Sequence, residues 1–545
     1  MMWHKRLPDL PLFLLGMAAI GAVFYIFPFA TNDGPIHLAF SHFLSGSSPF
    51  DGLSSALYRR SEPIYTNLTV YLVMSTLLHV FSPAVVEACI QAACLVGPPM
   101  AAYFALRQID RDKTWLALFI YPLSLHHLFF LGLYNFCFSV SGFFLVIGSF
   151  LWMQKSGSVW RILAPVAALY FTFLSHAAGL IAAVVAISTL TLASCVLGLR
   201  QGRRPAQLIM EHGRQAAVFA ALLPLLYLLL AHGGGGGAPV RYGVGLERRL
   251  MAMLYLNVIN MHSIADKFAA LMLSAMLWCG VVWAGVRLFK DRHFAPRASW
   301  ERALGALFMV LVLFVLALVF PDTLGGGWTH FERMALFPLL AAPLCLACLP
   351  IRARGKLALI TLITLASLVT LMTAVVAQSE VKRQLAPLAE VDRILGRHCS
   401  VLPLVFQARP VNKYVNYSPF FHAASRLELR DDRVVLFNFL ARLSVYPVRY
   451  QEGRDPQEKL FGWRPQQQDV RVHMADIAGF ERNAGVPVDY ILQWGEVGAA
   501  SVDLQAKLPE VMRGSRLVYR SADGRVRLFM REPDGHGRCT SRSAG

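Results

Sequence analysis

The chain is a series of long apolar runs separated by short polar segments, and this pattern changes near residue 379. Eleven of the runs approach the roughly 20 residues that a helix needs to cross a bilayer. They are 10–30, 83–106, 114–133, 134–154, 161–178, 180–199, 216–231, 268–288, 303–320, 333–350 and 356–378. We therefore predict a polytopic α-helical membrane domain at 1–378, with about 11 transmembrane helices, and a separate domain at 379–545.

The pattern of residues 379–545 is that of a soluble α/β domain. The segments CSVLPLVFQ (399–407) and VDYILQW (488–494) read as buried strands. Residues 516–531 alternate about an Ala-Asp-Gly turn, which predicts a β-hairpin. Residues 382–397 are predicted to form a helix that leads out of the membrane.

Composition supports this division. The chain is 56% apolar and 15% charged, against about 25% charged in typical soluble domains. Residues 379–545 hold 25 of the 51 Lys and Arg residues and 19 of the 33 Asp and Glu residues. The net charge of +18 does not indicate a nucleic-acid partner, because the basic residues of the membrane domain form short clusters between apolar runs. The run 10–30 lacks a small-residue cleavage site, so we interpret it as a retained helix and not as a signal peptide.

Charge also predicts the topology, because cytoplasmic loops are enriched in Lys and Arg. Every strong basic cluster is cytoplasmic if the N-terminus is inside and the apolar segment 64–81 does not cross. These clusters are Lys5/Arg6, Arg107/Arg111/Lys113, Lys155/Arg161, Arg200/Arg203/Arg204/Arg214, Arg287/Lys290/Arg292/Arg297/Arg302 and Arg352/Arg354/Lys356. We therefore expect 64–81 to be a re-entrant or juxtamembrane helix, and the C-terminal domain to be extracytoplasmic.

The cysteines agree with this topology. Seven of the nine lie in apolar runs, where cysteine behaves as a small hydrophobic residue. The other two, Cys399 and Cys539, stand near the two ends of the C-terminal domain. Two such thiols in an extracytoplasmic domain suggest a disulfide; the alternative is two unrelated buried thiols. The sequence has no CxxC or His/Cys spacing of a metal site.

Polar residues that are costly near lipid gather on the predicted outer face. Asp33 and His37 follow the first helix in the segment Thr31-Asn32-Asp33-Gly34-Pro35-Ile36-His37. They are four residues apart, so on a helix they share a face. A carboxylate beside an imidazole suits a general base or half of a metal site. The alternative is that Asp33 only caps a juxtamembrane helix.

Further outer-face residues are candidates for binding substrate or phosphate, and each has a structural alternative. His176 is also well placed to make a helix-end hydrogen bond, and the arginines could equally meet lipid headgroups or extend to the interface. Three of the arginines follow a run of five glycines at 233–237, which is expected to form a flexible loop. The set is Asn135, His176, Arg241, Arg248, Arg249, His330, Glu332 and Arg333.

These features together resemble the GT-C superfamily of membrane glycosyltransferases over about residues 10–378. Asp33-Gly34-Pro35-Ile36-His37 is similar to a D-x-x-x-H form that follows the first helix in some bacterial members. The other similar segments are Glu62-Pro63-Ile64-Tyr65, Arg107-Gln108-Ile109-Asp110-Arg111, Tyr134-Asn135-Phe136 and Leu174-Ser175-His176.

The resemblance implies a polyprenyl-phosphate sugar as donor and an acceptor that is a glycan, a lipid or a protein. By position Asp33 would be the general base, and Arg241, Arg248, Arg249 or Arg333 would contact the donor phosphate. Many members pair two acids in the first loop, whereas here Asn32 precedes Asp33. No cofactor follows with certainty, and a divalent metal stays possible. The implied location is the bacterial inner membrane of the cell envelope, with a cytoplasmic N-terminus and a periplasmic C-terminal domain.

Two other function classes stay open from the sequence. A transporter would place ionisable residues near mid-membrane in broken helices related by a repeat. No internal repeat is visible, and only Pro98-Pro99 and His126-His127 interrupt a run in that way. A non-catalytic membrane scaffold would tolerate replacement of Asp33.

Overall fold

The computed structural model describes most of the 545-residue chain. The described residues are 9–46, 52–61, 66–155, 158–232, 240–255, 262–290, 297–324, 328–411, 414–430, 432–443, 445–456, 460, 477–496 and 508–531. Glu62-Pro63-Ile64-Tyr65, the glycine run 233–237 and Cys539 therefore lie outside the described residues.

The membrane domain is a bundle of α-helices. Among the described residues, seven helices are long and apolar enough to cross a membrane, and shorter apolar helices cover Leu10–Ile26 and Val159–Ser175. The helices up to the sixteenth are α1 Leu10–Ile26, α2 Gly34–Leu44, α3 Leu53–Leu57, α4 Thr69–Leu77, α5 Pro83–Ile109, α6 Ile120–Ser124, α7 His127–Phe130, α8 Tyr134–Gln154, α9 Leu163–Ser175, α10 Ala177–Arg200, α11 Pro205–Ala220, α12 Leu223–His232, α13 Leu246–Leu254, α14 Ile264–Lys290, α15 Arg297–Val319 and α16 His330–Ala347. The chain is thus a polytopic α-helical membrane protein, as its sequence predicts.

Two of the predicted crossings differ from regular single helices. Residues 114–133 form the end of a 3₁₀ helix, Arg111–Phe119, followed by the short helices α6 and α7. Residues Trp115 to Ile120 are at most 1% exposed, so this segment lies among other helices, where irregular backbone at membrane depth is tolerated. The predicted crossing 216–231 is divided between α11 and α12.

The segment 64–81 contains the nine-residue helix α4. At 1.5 Å per residue this helix is about 14 Å long, well short of the roughly 30 Å hydrocarbon layer. Asn135 holds its start, because Oδ1 accepts the Val70 amide at 2.9 Å and Nδ2 donates to the Asn67 carbonyl at 2.9 Å. The structure therefore agrees with a juxtamembrane or re-entrant helix.

The C-terminal domain contains a five-stranded mixed sheet. It follows α17 (Ala353–Leu385) and α18 (Pro387–Ile394), where Pro387 begins a new helix and ends the single helix predicted at 382–397. The strand order is β3-β2-β5-β7-β6, with β2 parallel to β3 and β5 and the remaining pairs antiparallel. The strands are β2 Ser400–Val405, β3 Val434–Val435, β5 Tyr490–Trp494, β6 Ser515–Arg520 and β7 Val526–Arg531, with one further helix, α19, at Ile477–Ala484. Both predicted buried strands and the predicted hairpin are present.

The segment between α1 and α4 is part of this domain's packing. Strand β1 (Tyr58–Arg60) pairs antiparallel with β4 (Val448–Tyr450). Ile36 and Phe40 of α2 share one apolar core with Leu402 and Leu404 of β2. Asp33, at the start of α2, therefore lies where the membrane helices meet the C-terminal domain.

Candidate functional site

The position of Asp33 is fixed by backbone hydrogen bonds. The amides of Asn32 and Asp33 donate to the carbonyls of Phe130 and Leu131, each at 3.0 Å, and the His37 amide donates to the Asp33 carbonyl at 3.0 Å. Helix α2 thus begins immediately after Asp33, with a proline in its first turn.

The Asp33 side chain does not cap this helix. Its Oδ1 accepts a hydrogen bond from Asn32 Nδ2 at 2.6 Å, and the side chain is 13% exposed. The carboxylate of Asp33 therefore does not cap helix α2, which was the structural alternative for this residue.

Gly34 allows the chain to pass close to a polar cluster behind Asp33. A Cβ atom at this position would lie 2.3 Å from Thr31 Oγ1, 2.5 Å from the Tyr134 hydroxyl and 2.6 Å from Glu87 Oε1. Real Cβ atoms do not approach so closely, so any larger residue here would displace the Asp33 segment.

The C-terminal domain contributes two side chains to the site. His422 Nε2 lies 3.7 Å from Asp33 Oδ1. The Tyr446 ring lies 6.1 Å from the His37 ring and 6.5 Å from the Tyr71 ring, measured between centroids. The site is therefore shared between the membrane domain and the C-terminal domain.

Electrostatics favour a carboxyl that exchanges its proton near neutral pH. Burial raises the pKa of Asp33 to about 7, while the Asn32 hydrogen bond and the charge of Arg333 act in the opposite direction. Burial lowers the pKa of His37 to about 4. Burial and the neighbouring His37 lower the pKa of His422 to about 3. Both imidazoles are thus neutral at pH 7, and Asp33 is the group that titrates there.

Arg333 is the cation that faces this carboxyl. It is 8% exposed, and Nη1 lies 3.2 Å from His176 Nε2. His176 Nδ1 accepts the Ala178 amide at 3.0 Å, so in the neutral ring Nε2 carries the proton and is a poor acceptor for an arginine. Arg333 therefore retains donor capacity inside the site.

Three buried nitrogen atoms around Asp33 have no hydrogen-bond partner within the described part of the chain. They are His37 Nε2, His422 Nδ1 and Arg333 Nε. The other ring nitrogen of His37 contacts the Tyr71 hydroxyl at 2.5 Å. Buried polar atoms are normally hydrogen-bonded, so these three nitrogens are the groups beside Asp33 with hydrogen-bonding capacity to spare. A backbone interaction with Gly132 acts on the His37 ring and opposes the fall of its pKa.

The structure uses the other sequence-predicted residues in different ways. Arg249 donates to the carbonyls of Val244, Leu318 and Phe320 and forms an ion pair with Asp322 at 2.8 Å. These bonds engage all three guanidinium nitrogens, so Arg249 holds the loop before α16 together and is not free for a phosphate in this conformation. Asn135 is used at the start of α4, as described above.

The remaining predicted residues lie away from the Asp33 cluster or at its edge. Arg241 and Arg248 are exposed, and the backbone of Arg241 bridges to Thr323. His330 Nε2 contacts the Leu324 carbonyl at 3.1 Å. Glu332 is half-buried and lies in the first turn of α16, next to Arg333. Of the predicted arginines, Arg333 is the one that the structure brings to Asp33.

Sequence reasoning missed Glu87, which lies behind the site. Its side chain is fully buried and forms an ion pair with Arg426 of the C-terminal domain at 2.6 Å, and it accepts from the Tyr134 hydroxyl at 3.2 Å. A carboxylate inside the apolar run 83–106 was an available signal. His422 and Tyr446 had no such signal, because both stand in an irregular part of the C-terminal domain.

The described residues contain no group of three or more His, Cys, Asp or Glu side chains arranged to hold a metal ion. The Asp33–His422 pair supplies only two such groups.

Cys399 is disulfide-bonded, and seven other cysteines, namely Cys89, Cys94, Cys137, Cys195, Cys279, Cys345 and Cys348, are free. Cys539 lies outside the described residues, so the Cys399–Cys539 pairing stays a prediction.

Comparison with solved structures gives the class of fold. The chain is similar to ArnT from Cupriavidus metallidurans in the apo state, with a TM-score of 0.55 and 12% identity over 95% of this chain and 98% of that one. It is similar to the same protein bound to undecaprenyl phosphate, with a TM-score of 0.52 and 13% identity over the same shares. An Archaeoglobus fulgidus oligosaccharyltransferase tethered to an acceptor peptide aligns with a TM-score of 0.46 and 13% identity, over 96% of this chain and 74% of that one.

No family model matches the chain, and no curated protein matches it in sequence. The similarity is therefore one of fold. The chain is an integral membrane protein with the GT-C fold and a C-terminal sheet-containing domain.

Proposed function

We propose that this protein is a glycosyltransferase that transfers a sugar from a polyprenyl-phosphate donor to an acceptor at the outer face of the membrane. The observation that carries the proposal is the Asp33 cluster. A carboxyl with a pKa near 7 lies beside three unpartnered buried nitrogens at the junction of two domains. In support, the structure with the same fold in its ligand-bound form holds undecaprenyl phosphate.

Asp33 is proposed as the general base. As the acceptor hydroxyl attacks the anomeric carbon, its oxygen–carbon bond forms, the bond from that carbon to the donor phosphate breaks, and the hydroxyl proton passes to Asp33. A base is most effective when its pKa lies near the working pH, which the burial of Asp33 provides. His37 and His422, neutral beside it, are available as hydrogen-bond partners for substrate hydroxyls.

Arg333 is proposed to bind the departing phosphate. That phosphate gains negative charge in the transition state, and a preorganised guanidinium in a partly dry site stabilises it. Its contact with Nε2 of His176 offers Arg333 little as a hydrogen bond, so phosphate oxygens would supply better acceptors. Arg241 and Arg248 are exposed and are left with a role at lipid headgroups or at the entry to the site.

Two observations support an outer-face site. The basic clusters of the short loops favour a cytoplasmic N-terminus, and with that orientation the Asp33 end of the bundle is on the opposite side. The disulfide at Cys399 fits an oxidising compartment. The bacterial inner membrane, with a periplasmic C-terminal domain, is the location we propose.

The test is sugar transfer by the wild type and by Asp33→Asn. Purified protein in liposomes would be offered a panel of polyprenyl-phosphate sugars with membrane lipid and glycan acceptors. Loss of a general base typically costs about 10²–10⁴-fold in rate, so Asp33→Asn should lose at least about 100-fold in kcat. His42→Gln, on the same helix and outside the proposed cluster, is the matched control and should transfer normally.

Equal transfer by the wild type and a folded Asp33→Asn protein would remove Asp33 as the base. If the wild type transfers no sugar from any donor, the transporter and scaffold hypotheses gain support. Flux measurements in the same liposomes would then separate those two.

A further inference from the structure

The segment between α1 and Asp33 is held by two glutamine side chains from two different membrane helices. Gln91 comes from α5 and Gln378 from α17, and both are fully buried. None of their described hydrogen bonds goes to Asp33, and the proposed chemistry does not use them.

The two glutamines make the same set of three hydrogen bonds. Gln91 Oε1 accepts the Phe29 amide at 2.8 Å, and Nε2 donates to the Phe29 carbonyl at 2.8 Å and to the Tyr134 hydroxyl at 2.8 Å. Gln378 Oε1 accepts the Ala30 amide at 2.7 Å, and Nε2 donates to the Ala30 carbonyl at 3.1 Å and to the Tyr417 hydroxyl at 2.5 Å. Each side-chain amide therefore satisfies the N–H and C=O of one residue, as a neighbouring strand would.

These bonds complete the immobilisation of residues 29–33. The Thr31 hydroxyl contacts the Tyr134 hydroxyl at 2.9 Å, and the amides of Asn32 and Asp33 bond to the chain before α8. Every residue of the segment thus makes a hydrogen bond to another element.

Only a carboxamide can make this pattern. It needs an acceptor for the amide N–H and two N–H donors, one for the carbonyl and one for the tyrosine. A leucine of similar size would leave a buried amide and carbonyl unpaired, and a carboxylate would supply no donor. The second donor of each glutamine also links the segment to a tyrosine, and Tyr417 belongs to the chain beyond α18.

We propose that Gln91 and Gln378 are positioning residues, a pair of amide clamps that hold the Asp33 loop in its reactive place, and that Tyr417 couples one clamp to the C-terminal domain. The reactive role rests on the proposed function of Asp33. The clamps themselves determine the position of Asp33 and the exclusion of water around its carboxyl, whether or not Asp33 is the base.

The first readout is independent of sugar transfer. A carbodiimide reacts with a protonated carboxyl, so the pH at which Asp33 modification falls by half, followed by peptide mass spectrometry, reports its protonation. The wild-type midpoint should lie near 7, in keeping with the raised pKa of Asp33. In Gln91→Leu and Gln378→Leu the released loop admits water, and the midpoint should move toward the 3.8 of an ordinary aspartate. The substitutions leave the other groups that face Asp33 chemically unaltered, namely Asn32, His37, Tyr71, Arg333, His422 and Tyr446.

The second readout is the division between kcat and KM. Displacing a catalytic group by about 1 Å can cost about 100-fold, so the variants should lose about 10- to 100-fold in kcat with little change in the donor KM. Tyr417→Phe, which removes one hydroxyl and keeps the ring, should show the same effects more weakly. Gln384→Leu is the matched control on α17, since its amide bonds only to Glu380 among the contacts described, and it should match the wild type.

The outcomes separate this inference from the proposed function. Folded Gln91→Leu and Gln378→Leu proteins with a wild-type carbodiimide midpoint would overturn the clamps, whatever the transfer assay shows. If Gln378→Leu does not fold, the midpoint of Tyr417→Phe decides for that clamp, and if Gln91→Leu does not fold, the midpoint of Tyr134→Phe decides for the other. A shifted midpoint in variants of a protein whose wild type transfers no sugar would support the clamps. In that case the proposed glycosyltransferase function alone would be wrong.

Discussion

At the scale of single residues, the site depends on one carboxyl whose environment differs from its local sequence. Asn32, Asp33 and Gly34 would be an ordinary helix start, yet the Asp33 carboxylate leaves the helix end and faces Arg333 and His422. Burial is the largest influence on its pKa. The Asp33 carboxyl thus has a pKa that suits a base at neutral pH, and polar side chains that could bind a substrate lie beside it.

This pKa predicts the pH dependence of transfer. The base must be deprotonated, so kcat/KM should rise with pH and reach half its plateau near pH 7, the value to which burial raises the pKa of Asp33. The pH profile of kcat/KM reports groups of the free enzyme, so it is the measurement to make.

Two checks make the assignment specific. His422→Gln should keep the acidic limb whatever its rate, because burial lowers the pKa of His422 to about 3. Unfolding has to be measured alongside the limb. The raised pKa of Asp33 makes the folded state lose stability as pH rises, but the lowered pKa values of His37 and His422 make it lose stability as pH falls below 6.5, so the midpoint of thermal unfolding at each pH is the control. The profile should be measured from about pH 5 to about pH 9, which brackets the usual histidine pKa. A flat profile over this range would contradict Asp33 as the base.

At the scale of elements, helix α3 and strand β1 connect the membrane domain to the C-terminal domain. Helix α3 and strand β1 belong to the segment between α1 and α4, and both attach to the C-terminal domain. Asp432 accepts the amides of Leu53 and Ser54 at 2.9 and 3.2 Å and the Ser54 hydroxyl at 2.8 Å. A side chain more than 370 residues away along the chain thus caps α3.

We expect Asp432→Ala to destabilise the protein by about 1–3 kcal/mol, because buried donors left without a partner cost about this much. The measurement is the midpoint of thermal unfolding in detergent. Glu510→Ala, at an exposed position in the same domain, should leave the midpoint unchanged. A midpoint for Asp432→Ala equal to that of the control would show that this cap contributes nothing to stability.

At the scale of the whole molecule, the C-terminal domain is part of the site. It supplies His422 and Tyr446, pairs β4 with the first loop, and buries the Arg426–Glu87 ion pair against α5. Breaking such a buried pair by removing one partner leaves an uncompensated charge. The candidate site therefore combines side chains of both regions.

The disulfide gives a prediction at this scale that thiol counting can test. The protein has nine cysteines and seven are free, so denatured, unreduced protein should take up seven maleimides and reduced protein nine. Cys399→Ser should release its partner, so the reduced and unreduced counts should become equal, one below the total of nine cysteines. Cys279→Ser, a free and exposed thiol, should lower both counts by one. Nine maleimides on the unreduced wild type would contradict the disulfide.

The sequence by itself determined the membrane character, most of the spans, the short helix at 64–81 and the strands of the C-terminal domain. These follow from the hydrophobic pattern, because burial in lipid or in a sheet imposes its periodicity on adjacent residues. The sequence also indicated Asp33, His37 and Arg333, since polar groups beside apolar runs are costly and therefore informative.

Only the tertiary structure decided which of the candidate residues meet. Arg249 and Arg333 have the same chemistry, yet Arg249 is engaged by backbone carbonyls and Asp322, whereas Arg333 faces Asp33. His422 stands 389 positions after Asp33 in the printed chain, and no local pattern encodes contacts between residues so far apart. The sequence did not predict the clamps of Gln91 and Gln378 either. The role of a side-chain amide is known only when the tertiary structure shows which backbone group it hydrogen-bonds.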